Sequence, residues 1–177
     1  GGSSGGSAVA IVTGMSVASI GTDTGGSIRI PSAACGTVGL KPAWGEVPCE
    51  GVVPLCASLD HAGPLARSVA DAWLLYLVMR GTPTASHWPL PGPRAVNALR
   101  LGAPRGYIHD VLDDEVRTRF AASLAWLRQA GARVADVAIP HAAGAPPVYL
   151  HTSLPEASAY HAPALDRMPE RYSRNVR

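Results

Sequence analysis

Along the first forty positions, apolar residues come in short runs broken by glycine. Residues 8–12 (Ala-Val-Ala-Ile-Val) follow directly on the Gly/Ser run 1–7. A flexible linker would not continue that way, and the small side chains through Gly14 suit a helix packed close against a sheet. Residues 17–20 predict a short buried strand stopped by Gly21, with a glycine-rich turn over 22–27. Pro31 opens a short helix to about Cys35, and residues 38–40 form a short strand ended by Lys41-Pro42. Residues 42–66 are punctuated by Pro42, Gly45, Pro48, Gly51, Pro54, Gly63 and Pro64, and predict irregular structure. Ser68 with Asp71 starts a helix in the manner of a capping box, and Gly81 ends it. The prolines at 83, 89, 91 and 93 make 82–97 a surface linker. Strand 99–103, helix 113–130 and strand 133–139 then follow in order. The helix carries Val116, Phe120, Leu124 and Leu127 on one face. That β-α-β unit points to an α/β fold with a mixed sheet core covered by helices. A last helix begins near Pro155-Glu156 and runs past Tyr160. No internal repeat is present.

Composition narrows the class. Of 177 residues, 47% are hydrophobic and 16% charged, with a mean hydropathy of +0.12, which is globular rather than disordered. The net charge of +2 is too small to argue for nucleic acid or an anionic membrane surface. No run of 18 apolar residues and no basic leader with an apolar stretch is seen, so neither a membrane segment nor a signal peptide is expected. Cys35, Cys49 and Cys56 lie 14 and 7 positions apart, with no Cys-x-x-Cys pair. Zinc and a disulfide framework are both disfavoured, and a reducing cytoplasm is the expected setting. Free buried cysteine is the simpler account, above all for Cys35 on its short helix. The four tryptophans read as core or pocket wall. His141, His151 and His161 recur every ten residues, separated by loops. The chain starts at Gly1 without Met and ends at Arg177 in a polar stretch, so it reads as an internal piece of a longer protein.

The chemistry concentrates in residues 1–42. Ser3 and Ser27 each sit in a glycine-framed turn, 24 positions apart. Glycines let backbone N–H groups converge on one point, and a serine ending such a turn has its hydroxyl beside them. Acyl transfer needs that pairing of nucleophile and oxyanion hole. Both serines could equally be plain turn residues. A phosphate-cradling loop would need Gly-Lys-Ser/Thr, which is absent. No Gly-x-Ser-x-Gly elbow is present either. A base is missing too: no motif aims any of the six histidines at Ser27.

The ordered set Gly1-Gly2-Ser3-Ser4-Gly5-Gly6, Gly21-Thr22-Asp23-Thr24-Gly25-Gly26-Ser27-Ile28-Arg29, Pro31, Cys35-Gly36 and Val38-Gly39-Leu40-Lys41-Pro42 resembles the amidase signature family. Members are serine hydrolases with a Ser–cis-Ser–Lys triad. Ser58-Leu59-Asp60 and Gly63-Pro64-Leu65-Ala66-Arg67 also resemble it. The strongest likeness covers residues 1–80, and a weaker one runs through 155–161.

The resemblance implies that residues 1–177 are part of a single amidase domain and that Ser27 is the acyl nucleophile. Ser3 is the bridging serine, after a cis Gly2–Ser3 peptide. The N–H groups of Thr24, Gly25, Gly26 and Ser27 form the oxyanion hole. Ser4, Asp23 and Arg29 support it, with an Asp23–Arg29 interaction across the turn. The family's lysine lies upstream of the Gly-Ser run. Lys41 matches the Gly-Leu-Lys-Pro element instead, so these residues alone are expected to be inactive. The implied activity is hydrolysis of a small-molecule carboxylic amide, without cofactor or metal. Oligomeric state is left open, a homo-oligomer included. Two other readings stand beside it. One is a glutamine-dependent amidotransferase A-type subunit, whose branch usually has glutamine where this chain has Ile30. The other is a truncated, non-catalytic copy of the fold.

Overall fold

The end of the Gly/Ser run, residues 5–7, forms the first turn of the first helix. In the computed structural model, which describes residues 1–82, 92 and 94–176, α1 spans Gly5–Val12. Glycine in a helix costs about 1 kcal/mol relative to alanine. Against that, Ala8 and Ile11 are fully buried, and burying an isoleucine side chain contributes about 1.5–3 kcal/mol. Their partners are Ile28 and Leu65, with Cys35 packed alongside.

The chain forms two compact units, Gly1–Leu90 with Tyr149–Arg177 and Pro91–Val148. The first holds a three-stranded antiparallel sheet in the order β1-β3-β2. Strand β1 is Ala18–Thr22, later than the predicted 17–20, and it is not a buried strand. Among the described residues it pairs on one side only, from Ala18↔Ala66 to Thr22↔Ala62, and Val17 and Ile20 are 74% and 58% exposed. Gly21 belongs to the strand rather than stopping it. A Cβ there would lie 2.6 Å from Leu65 Cδ1 and 2.9 Å from Ser4 Oγ, so close packing demands the glycine.

Strand β2 is Val38–Gly39 and β3 is Ala62–Ala66. Residues 42–66 are therefore not irregular throughout: they end in the central strand, all five residues of it buried. Its Gly-Pro pair hid it, because proline is rare inside a sheet. Pro64 is tolerated because β2 pairs only with Leu65 and Ala66. The Pro64 carbonyl accepts from Leu40 N–H beyond the end of β2, and the ring nitrogen faces that same side, where the ladder has stopped.

Helix α2 covers Arg29–Cys35 and ends on left-handed Gly36. Helix α3, Val69–Met79, begins as expected: Ser68 Oγ accepts from Asp71 N–H and donates to the Asp71 carboxylate. It carries Tyr76 and Leu77 into a second cluster with Val47 and Ala62, which Trp73 flanks.

In the second unit, β4 (Arg100–Arg105) and β5 (Arg133–Ala138) pair in parallel, from Arg100↔Arg133 to Arg105↔Ala138. A short helix, α4 (Tyr107–Asp110), and then α5 (Asp114–Gln129) connect them. The β-α-β reading holds, and α4 escaped the sequence pattern. Asp113 caps α5 by accepting from Val116 N–H. On its apolar face only Leu124 is buried, and Val116 stays 48% exposed.

Helix α6 runs over Ala145–Arg167, ten residues earlier than expected. Pro146 and Pro147 mask its start in the sequence, yet the first turn has no N–H partners to lose. His151 and His161 thus share one helix and are not separated by loops. Cys56, not Cys35, is the buried cysteine, and all three are free. Trp44 and Trp126 are 65% and 60% exposed rather than core. Trp88 and most of the linker over 82–97 lie outside the described residues. No described helix is long and apolar enough to cross a membrane.

Candidate active site

The turn after β1 is built around one carboxylate. Asp23 is fully buried, a costly place for a charge unless donors surround it. Its Oδ1 accepts from Gly26 N–H at 2.7 Å and Arg29 Nη2 at 2.9 Å. Its Oδ2 accepts from Arg29 Nε at 2.9 Å, Ile28 N–H at 3.2 Å and Arg29 N–H at 3.3 Å. The guanidinium grips both oxygens, a planar fork that lysine could not reproduce. Burial pushes the Asp23 carboxyl up, but Arg29 and the Ile28 N–H together outweigh it and hold the group below its ordinary value. Arg29 is pushed up in turn, chiefly by its hydrogen bonds to Asp23. The backbone at Asp23 is pinned as well: its N–H donates to the His61 carbonyl at 2.8 Å and its carbonyl accepts from His61 N–H at 3.2 Å. His61 Nδ1 faces two carbonyls, Leu59 and Asp23, so it carries the proton and serves as a clamp.

Folding the turn this way divides its N–H groups. Gly26 N–H is committed to Asp23 and is not free for another acceptor. Those of Thr24, Gly25 and Ser27 donate to nothing among the described residues. Gly26 makes this possible, with φ of +136°, a conformation almost confined to glycine. A Cβ there would also meet Ile30 Cδ1 at 2.5 Å.

The second serine turn is stitched to the first. Ser4 N–H donates to the Ser27 carbonyl at 3.2 Å, and Ser4 Oγ donates weakly to the Thr22 carbonyl at 3.5 Å. Ser3 is therefore adjacent to a residue bonded to Ser27, and the Gly2–Ser3 peptide is cis. Ser27 is half-buried and Ser3 exposed. Neither hydroxyl has a hydrogen-bond partner among the described residues, the other serine included. Lys41 directs its ammonium to the Pro42 carbonyl at 2.8 Å.

Three neighbours carried no assigned role in the sequence. Tyr149, in the first half of α6, lies on Gly25: a Cβ there would come within 2.7 Å of the ring. Two turns further along α6, Glu156 accepts from both the N–H and the hydroxyl of Ser58. The Ser58 hydroxyl, then its N–H and the Cys56 thiol, hold the Glu156 carboxyl below its ordinary value. Asp60 accepts from the Thr24 hydroxyl and from the N–H groups of Leu55 and Cys56. Only the weak likeness over 155–161 and the Ser-Leu-Asp element hinted at these contacts. Among the described residues, no three His, Cys, Asp or Glu side chains gather closely enough to hold a metal ion.

Comparison with known proteins places this arrangement. The Amidase family model matches residues 1–175, and the chain belongs to that family. An amidase of Pseudomonas putida is 43% identical over 167 residues, covering 89% of this chain and 36% of that protein. The A-type subunit of the glutamyl-tRNA(Gln) amidotransferase of Roseiflexus castenholzii is 41% identical, with 90% and 34% covered. A crystal structure of an amidase superposes with a TM-score of 0.88 at 44% identity, over 100% of this chain and 39% of that one. The native peptide amidase of Stenotrophomonas maltophilia gives 0.71 at 31% identity, over 91% and 36%. The chain thus spans little more than a third of the length of these relatives.

Proposed function

We propose that the protein carrying this chain hydrolyses a small carboxylic amide through an acyl-enzyme on Ser27. The observation that carries this reading is the turn itself. Three N–H donors, from Thr24, Gly25 and Ser27, have no acceptor among the described residues and lie next to a half-buried serine hydroxyl. Backbone donors held in advance at a developing oxyanion contribute strongly to the rate of acyl transfer. Gly26 N–H stays with Asp23, and so acts as part of the scaffold.

Ser27 Oγ attacks the amide carbon and passes its proton to Ser3 Oγ. Ser3 gives up its own proton to a lysine supplied from outside these 177 residues. That lysine must be held neutral by burial to accept it. The tetrahedral oxyanion rests on the three N–H groups. Its collapse breaks the C–N bond, and the same relay returns a proton to the leaving nitrogen. Water then attacks the acyl-enzyme by the reverse route, releasing the acid and restoring Ser27. No metal or cofactor takes part. The three free cysteines suit a reducing cytoplasm.

A second reading, an amidotransferase A-type subunit, is favoured by the relatives of that name. Ile30, whose side chain lies over Gly26, separates the two, since that branch usually has glutamine there. A non-catalytic copy of the fold is the third. The test is a Ser27→Ala variant of the whole protein, assayed on a panel of simple amides and on glutamine, with fluorophosphonate labelling of the unmutated enzyme. Loss of turnover and an adduct on Ser27 are expected. An adduct on Ser3 or Ser4 would overturn the assignment, and a whole protein with no turnover would favour the third reading.

A further inference from the structure

We propose that Asp60 is a positioning residue for the oxyanion turn. The inference rests on the acyl-transfer reading of Ser27. Thr24 supplies one of the three unengaged N–H groups, and among the described residues its side chain has one tether: its hydroxyl donates to Asp60 Oδ1. Asp60 is itself held on three sides. Its Oδ2 accepts from Leu55 N–H at 2.9 Å and Cys56 N–H at 3.0 Å. Its own N–H donates to the Cys56 carbonyl at 2.7 Å. One residue further on, His61 is paired through its backbone with Asp23. The loop over 55–60 is therefore closed on itself and locked to the turn at both Asp23 and Thr24.

The same loop is tied to α6, where Glu156 accepts twice from Ser58. Helix α6 also lays Tyr149 on Gly25, the next residue of the turn. Two consecutive donors, Thr24 and Gly25, are thus set from one helix by two routes, through Asp60 and through Tyr149. Asp23 fixes the opposite end of the turn, at Gly26 and Ile28. The Asp23 carbonyl, in the same peptide as the Thr24 N–H, is held by His61, the residue next to Asp60. Without Asp60 that clamp and the Thr24 hydroxyl lose their common support, and the N–H can shift from the position an oxyanion occupies.

The test is a double-mutant cycle in the whole protein, with Asp60→Ala and Thr24→Val cutting the same bond from its two ends. Each should lower kcat about tenfold with KM nearly unchanged. That is less than the roughly 10²–10³-fold of deleting an oxyanion donor, because the N–H is displaced rather than removed. Combined, they should cost no more than the larger single loss. Amides and activated esters should slow by the same factor, because oxyanion contacts serve both. Multiplicative losses, a change confined to KM, or a lowered melting temperature at normal kcat would overturn the proposal. If Asp60→Ala fails to fold, Thr24→Val alone decides, by its kcat. Ser27→Ala run alongside separates the two levels. Turnover surviving that change defeats the acyl-transfer reading, whereas its loss beside unaffected Asp60 and Thr24 variants defeats only the role of Asp60.

Discussion

Replacing Asp23 by asparagine keeps the side chain's volume and removes its charge. It also turns one of two acceptor oxygens into a donor. The smaller loss puts the new amide nitrogen on the Oδ1 side, facing Gly26 N–H and Arg29 Nη2. The Arg29 side chain is 54% exposed, so water takes over its hydrogen bond. Gly26 N–H has no such recourse, and an unsatisfied buried donor costs about 1–3 kcal/mol. Losing the charge also weakens the remaining bonds to Ile28 and Arg29, but the Arg29 charge left behind is half exposed and hydrated, so the buried Gly26 donor dominates the cost. The turn should therefore open roughly 10–10² times more readily, at about 1.4 kcal/mol per factor of ten. Amide hydrogen exchange across 18–35 in the whole protein reads this directly, through Gly26, Ile28 and Arg29. Acid adds a second arm. The folded Asp23 carboxyl titrates below its ordinary value of 3.8. Its contribution is therefore complete above that pH and lost as pH falls through the lower folded value. Wild-type protection should drop on acidification below about pH 4, and the asparagine variant should lack that component. Protection within threefold of wild type would refute the idea that this carboxylate organises the turn.

Other outcomes follow from the same geometry. Ser3→Ala deletes one exposed oxygen and should leave the fold intact while slowing acylation about 10²–10⁴-fold. Amides should suffer more than esters, because a leaving amine needs a proton; equal slowing, measured by burst kinetics, would contradict the relay. Gly26→Ala forces a side chain into φ of +136° and against Ile30. Turnover should collapse, and adding Ile30→Ala should not restore it, because the backbone strain remains. Leu65→Ala opens a cavity under α1 in the fully buried Ala8, Ile11 and Ile28 cluster. It should destabilise by about 2–5 kcal/mol in denaturant titration with Ser27 chemistry otherwise preserved.

Local signals in the sequence determined a good part of this protein. Ser68 and Asp113 mark their helix starts because a cap needs only its own next few residues. The period of Val116, Phe120, Leu124 and Leu127 defines α5, and two apolar runs around it define a parallel pair. The two glycine-framed serines and the Asp23–Arg29 spacing mark where chemistry gathers, because a tight turn is itself a local object. Tertiary structure alone decided the rest. A proline in the central strand is acceptable because the neighbouring ladder ends at Leu65, one residue short of it, which no window around Pro64 contains. Gly21 reads as a stop until Leu65 and Ser4 crowd it from distant parts of the chain. Glycines 5 and 6 become helical only because Ile11 has Ile28 and Leu65 to bury against. The commitment of Gly26 N–H to Asp23, and the contacts of Asp60, Tyr149 and Glu156, join residues up to 124 positions apart. The sequence contains both members of each such pair, and only the folded chain brings their side chains within reach.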